Sequence, residues 1–426
     1  TAPLNRKMYF LTDPIEDRAK DWLDYKINYQ ATFAAQLMYP AVDTYEVMPW
    51  PDRIYQGLYQ VAGTDRKERI PRDYSTQMQI MVNTLNDIRT SETQVSGTHG
   101  IGVLMANSLM FQRFPDHDGY DDPQFSSFYG QTLPLLKRGI PVELVHMENT
   151  PFGDTFKGLK VLVMSYSNMK PMEPRYHDFL ADWVRKGGAL IYCGEDIDPY
   201  QSVLEWWNSN GNQYKAPSEH LFEKLGLDRV PAAGTYPCGK GMVTVIREDP
   251  KHFVLKSGND WQYFDAVSAA YRKSAGKEVE LKNSFLLERG PYTIAAVLDA
   301  PMELSGVYID LFDKDLPVLT HKVIRPGEQG YLYNVKRISG RAKAKVLCGA
   351  SRIYDEKAGK RSYSFVAKSP LHTTNASRIL LPKQPIRVCV NGKEEPQLEK
   401  LWEERSRTLL LKFENDPAGV QVDIEW

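Results

Sequence analysis

The first ninety residues constrain the chain most. They spell strand, helix, strand, helix, and two strands joined through a helix run parallel. Residues 7–11 are a short run carrying Met8, Tyr9 and Phe10, followed by the turn signal Asp13-Pro14. Trp22, Tyr25, Tyr29, Phe33 and Leu37 then recur at three- and four-residue spacing, one apolar stripe on a helix that Pro40 stops. Residues 45–48 form a second short strand closed by Pro49 and Pro51. A polar loop through Arg66, Lys67 and Glu68 leads to a helix marked by Met78, Met81, Val82, Leu85 and Ile88. Two parallel strands cannot cover both of their faces. Something must complete this sheet, either the next domain or barrel strands lying outside this sequence.

From about Val95 a second α/β pattern begins. Strands at 101–105, 142–145, 160–164 and 189–193 alternate with helices, one over 125–137 and one beginning near Pro174. The second carries the stripe Tyr176, Leu180, Trp183, Val184 and stops at Gly187-Gly188. That rhythm predicts a doubly wound sheet. After Gly239-Lys240-Gly241 short runs dominate, from 242–246 to 420–424, and several alternate with period two. With the hairpin signal Asn391-Gly392 they predict an antiparallel sandwich, into which a helix over 260–273 leads.

Composition narrows the function classes. At 426 residues the chain has room for two to four domains. Lys plus Arg is 53 against 54 Asp plus Glu, so no basic excess tracks nucleic-acid phosphates. No apolar run approaches the roughly 18–20 residues that span a bilayer. Cys193, Cys238, Cys348 and Cys389 stand far apart without a CxxC, so they read as small core residues. That leaves the redox compartment open, with a soluble extracytoplasmic setting favoured. Gly239-Lys240-Gly241 is too short to cradle a phosphate, and His117 among Asp116, Asp118, Asp121 and Asp122 reads as a solvated loop. No cofactor and no metal site is expected. Asn375-Ala376-Ser377 spells a glycosylation sequon.

The strand Ile101-Gly102-Val103-Leu104 and the run from Leu159 through Val161, Leu162, Val163 and Met164 to Ser167 carry a family resemblance. So does the helix ending in Gly187-Gly188 and feeding Ala189-Leu190-Ile191. Together they resemble the middle domain of family-42 β-galactosidases and related glycoside hydrolases. That is a flavodoxin-like fold similar to class I glutamine amidotransferases, which mediates oligomer contacts in the family. The amidotransferase nucleophile sits in a Gly-x-Cys-x-Gly elbow; Cys193, between Ile191 and Glu195, lacks it, and Ser165 and Ser167 lack Gly-x-Ser-x-Gly. The order of parts is similar too. It implies an α/β plus all-β chain: the last βα units of a (β/α) barrel over 1–94, a flavodoxin-like doubly wound domain over 95–275, and a β-sandwich over 276–426. A complete barrel needs about 250 residues, so this reading expects further barrel segments ahead of Thr1, a homo-oligomer, and a carbohydrate substrate.

Glycosidases use two carboxyl groups, and barrel enzymes place them at the carboxyl ends of strands. Asp13 and Glu16 follow the first strand; Glu46 lies within the second, with Trp50, Arg53 and Tyr55 just beyond. Glu46 is the leading candidate, since a carboxylate in a buried strand is costly unless paired or functional. Trp50, Arg53 and Tyr55 are candidate sugar contacts. The plain alternatives are an ion pair for Glu46 and helix-start acids for Asp13 and Glu16. By the resemblance the acid/base comes from the fourth barrel strand and the nucleophile from the seventh. These residues then supply half of the pair, and residues 1–426 alone hydrolyse little. The rival reading is a non-catalytic carbohydrate-binding or oligomerisation module.

Overall fold

The computed structural model describes residues 6–12, 21–47, 52–109, 123, 125–338, 344–396 and 401–426. β1 (Phe10–Thr12) and β2 (Tyr45–Val47) pair in parallel, Leu11 opposite Glu46, and α1 (Trp22–Leu37) connects them. Asp21 caps α1 by accepting the Asp24 N–H at 2.9 Å. The stripe Tyr25, Tyr29, Phe33 and Leu37 is buried as its spacing predicts. After α2 (Asp52–Tyr55), β3 (Leu58–Gln60) and β4 (Lys67–Arg69) form a hairpin where the polar sequence suggests a loop. Of its six residues only Tyr59 is buried, too little apolar pattern to announce strands. α3 (Arg72–Thr84) closes this segment.

Residues 96–283 build one compact unit. In chain order it contains β5 (Ile101–Met105), α4 (Ser126–Leu136), β6 (Glu143–His146), β7 (Val161–Met164), α5 (Tyr176–Arg185) and β8 (Ala189–Cys193). α6 (Pro217–Leu225), β9 (Gly234–Cys238), β10 (Gly241–Ile246), α7 (His252–Leu255) and α8 (Trp261–Ala275) follow. The sheet order is β6-β5-β7-β8-β10-β9, parallel except for the β9 edge. Alternation along each strand feeds two cores. Leu104, Leu162, Tyr192 and Val243 pack with Leu180 and Phe222 of α5 and α6. Val103, Val163 and Ile191 pack with Val267 and Tyr271 of α8. Residues 242–246, whose pattern groups them with the later antiparallel runs, form β10 of this sheet, every residue of it buried beside β8. α8 covers the same sheet and is the last element before β11.

Residues 7–95 and 284–426 build the other unit. A five-stranded antiparallel sheet, β11-β12-β15-β13-β14, comprises β11 (Ser284–Arg289), β12 (Tyr292–Val297), β13 (Met302–Asp310), β14 (Val318–Ile324) and β15 (Gln329–Asn334). Beyond it lie β16 (Lys345–Gly349), β17 (Arg352–Ala358), β18 (Ser362–Lys368), β19 (Thr374–Leu380) and β20 (Arg387–Val390). The chain ends with β21 (Lys393–Glu394), β22 (Trp402–Glu403), β23 (Thr408–Glu414) and β24 (Val420–Glu425). The sheets β16-β19-β23-β22 and β17-β18-β24-β20-β21 share one core, in which Ile379, Leu409 and Leu411 meet Phe365, Val388 and Val422. Asn391 and Gly392, at φ 47° and 76°, make the β20–β21 turn that their spelling announces.

The first segment shares the core of this unit: Phe33 of α1 and Met78 of α3 pack with Tyr292, Tyr331 and Leu347. Arg289, buried on β11, ties the end of α1 down by donating to the carbonyls of Leu37 (3.1 Å) and Arg89 (2.9 Å) and to the Tyr45 hydroxyl (3.0 Å). Thus residues 7–95 do not stand as a separate compact body. Among the described residues, β1 and β2 join no other sheet.

Candidate functional site

The pleat of the parallel pair sorts its side chains. Phe10, Thr12 and Tyr45 turn toward α1 and the core. Phe10 meets the ring of Tyr39 at 5.8 Å, the Thr12 hydroxyl bonds to Gln36, and Tyr45 packs on the core. Gln36 also donates to the Leu11 carbonyl at 3.1 Å, so α1 is stapled to β1. Leu11 and Glu46 face the other way, and Leu11 is 60% exposed. Glu46 is exposed, which corrects the expectation of a buried carboxylate. Burial on a short strand depends on what lies over it, and among the described residues no third strand pairs with these two.

The two strands are parallel, so Thr12 and Val47 end them at the same edge. Asp13, Glu16 and Trp50 lie outside the described residues, as does the side chain of Arg53, whose backbone is part of α2. Tyr55 is half-buried against the core, its hydroxyl taking the Gln79 amide of α3. It braces α2 in a wall and does not offer an open ring. Of the predicted site, then, the structure places Glu46 on the open face and Tyr55 in the wall.

The carboxyl edge of the six-stranded sheet carries a polar lattice that sequence reasoning missed. The Ser167 hydroxyl donates to Asp249 at 2.6 Å, and the Glu195 N–H donates to the same oxygen at 3.1 Å. Arg247 pairs with Asp196 at 3.0 Å, and Ser218 donates to Asp196 at 2.8 Å. The Lys170 ammonium, almost wholly buried, bonds both Asp198 oxygens (3.0 and 2.9 Å) and the Tyr166 carbonyl (2.6 Å). Burial pulls its pKa down despite that partner. Below it, His177 is enclosed. Its Nε2 meets the Tyr166 hydroxyl at 2.5 Å and its Nδ1 meets His220 Nδ1 at 2.8 Å. The sequence does hold a signal: Asp196-Ile197-Asp198 lies three residues past one apolar strand, and Arg247-Glu248-Asp249 directly follows another. These groups partner one another and leave no free nucleophile. Cys193 is fully buried and its thiol is pushed up by burial, so it offers no thiolate.

All four cysteines are free and buried. The sequon residue Asn375 is buried too, its amide donating to Ser377 Oγ at 3.0 Å, so the folded chain hides it. The loop bearing His117 lies outside the described residues. Among the described residues no helix is long and apolar enough to cross a membrane, and no three His, Cys, Asp or Glu converge as metal ligands.

No protein-family model matches the sequence, and no curated protein does. Solved structures do show likeness. A β-galactosidase from Halorubrum lacusprofundi is 14% identical with a TM-score of 0.36, over 60% of this chain and 42% of that one. A β-galactosidase from Marinomonas ef1 is 10% identical with a TM-score of 0.38, over 73% of this chain and 49% of its own. A rhamnosidase from Novosphingobium sp. PP1Y is 9% identical with a TM-score of 0.31, over 96% of this chain and 42% of that one. The chain spans less than half the length of each.

Proposed function

We propose that this chain is the carboxyl-terminal part of a glycoside hydrolase of the β-galactosidase type, in which Glu46 supplies one of the two carboxyl groups that cleave the glycosidic bond. The observation that carries this reading is the direction of Glu46. It stands on the face of a βαβ unit opposite the covering helix, near the carboxyl end of its strand. In a closed (β/α) barrel that face is the interior, and that end is where chemistry is done. Among the described residues no strand takes the outer edges of β1 and β2, and these are the positions at which further barrel strands would pair. Asp13, Glu16, Trp50 and Arg53 come after β1 and β2 in the sequence, and in this proposal they shape the sugar subsite. The second carboxyl group comes from one of those further strands, so residues 1–426 bind half of a reaction centre. The unit of residues 96–283 takes no part in the chemistry, and we assign it to assembly.

The test is affinity labelling of the product of the complete reading frame with a cyclitol epoxide, which alkylates glycosidase carboxylates. Peptide mass mapping is expected to find the adduct on Glu46, with protection by a competing sugar. An adduct confined to other carboxylates, or none, overturns the assignment.

A further inference from the structure

We propose that the unit of residues 7–95 and 284–426 carries a separate, non-catalytic site for a neutral sugar, in the cleft between the end of α3 and the start of β17. The cleft has a volume of about 390 Å³, within the range of small-molecule sites. Its floor is the buried stretch Leu347-Cys348-Gly349 of β16, closed by Asn83, whose amide donates to the Gly349 carbonyl at 3.1 Å. Asn86 and Asp87 form one rim; Arg352, Tyr354 and Glu356 form the other.

Chemistry selects the occupant. A carboxylate only accepts hydrogen bonds and a guanidinium only donates them, so a ligand held by both rims must do each, as a hydroxyl does. Two carboxylates face one guanidinium and the Lys368 ammonium beside Tyr354, so the rim carries no net charge and suits a neutral ligand better than a phosphate or uronate. The apolar floor and the Tyr354 ring, 44% exposed, suit the C–H face of a pyranose. The Lys368 ammonium, 5.4 Å from the centroid of that ring, helps to hold it. β17 is bent at this point: its register with β18 shifts between Tyr354 and Lys357, and Asp355 sits at φ 52°. Bulges of this kind re-aim side chains beside binding sites. Burial pushes the Cys348 thiol up to about 12, so the floor holds no nucleophile.

The proposal does not rest on the reading of Glu46, and the test separates them. The 426-residue protein is titrated calorimetrically with galactose, lactose, glucuronate and calcium, alongside Asp87→Asn, Tyr354→Ala and Glu46→Gln. We expect saturable binding of a neutral sugar, weakened about tenfold by D87N and by Y354A, the loss of about one charge-assisted hydrogen bond or one ring contact. Melting temperatures stay unchanged, since both side chains are exposed, and E46Q binds as the parent does. Sugar binding lost in E46Q but kept in D87N and Y354A overturns the site. So does preference for glucuronate or calcium, or the absence of saturable binding by either neutral sugar.

Discussion

Lys170 and His177 show what single residues do in this molecule. The Lys170 ammonium is out of water and holds Asp198, which in turn accepts the Gln201 amide at 2.8 Å and the Tyr200 N–H at 3.0 Å. Removing one partner strands a buried charge, so Lys170→Met is expected to cost about 3–5 kcal/mol in urea unfolding. Adding Asp198→Asn should recover part of that loss; a K170M protein as stable as the parent contradicts the account. His177 is kept neutral by burial, and the nearby His220 and Lys224 charges push its pKa down further, well below 6.5. The unfolded chain takes up a proton below 6.5 that the folded chain refuses. The stability held above that pH is therefore lost as pH falls, by about 1.4 kcal/mol per unit. Melting curves between pH 8 and pH 5 should show a steeper decline for the parent than for His177→Gln, and equal slopes would refute the assignment. The His177–His220 contact has no local sequence signature, because the two stand 43 positions apart and meet only through the packing of α5 on α6.

Elements with a strong period were legible and those without one were not. The stripe of α1 and the alternation of Val420, Val422 and Ile424 on β24 are buried as spelled. The pattern of residues 242–246 resembles that of the antiparallel runs, since a short apolar run reads alike in a buried parallel strand and an antiparallel one. Only its place between β8 and β9 distinguishes them. The exposure of Glu46 was likewise unreadable, as it depends on layers contributed from elsewhere. Helix–helix approach supplies a test at this scale. Gly130 lies inside α4, where alanine ordinarily stabilises by about 1 kcal/mol. Here a Cβ would fall 1.8 Å from the Pro250 carbonyl oxygen, just ahead of α7. Gly130→Ala should destabilise by about 1–3 kcal/mol in chemical denaturation. A gain in stability would show that this close approach does not exist.

At the scale of the whole molecule, the sequence announced a parallel pair that could not stand alone, and the structure shows how it is half resolved. Sheets from residues 284–426 cover the helices of residues 7–95, while the opposite face of β1 and β2, bearing Leu11 and Glu46, stays open. The sugar cleft proposed between residues 83–87 and 346–356 joins segments some 260 positions apart, which no local pattern foretells. We have proposed Glu46 as half of a catalytic pair completed by strands outside these 426 residues. The most direct measurement is aryl-glycoside turnover by three proteins side by side: residues 1–426, the complete reading-frame product, and that product with Glu46→Gln. Turnover is expected from the complete product alone, at least about a thousandfold above the Glu46→Gln protein. Robust hydrolysis by residues 1–426, or full activity without the Glu46 carboxylate, would contradict it.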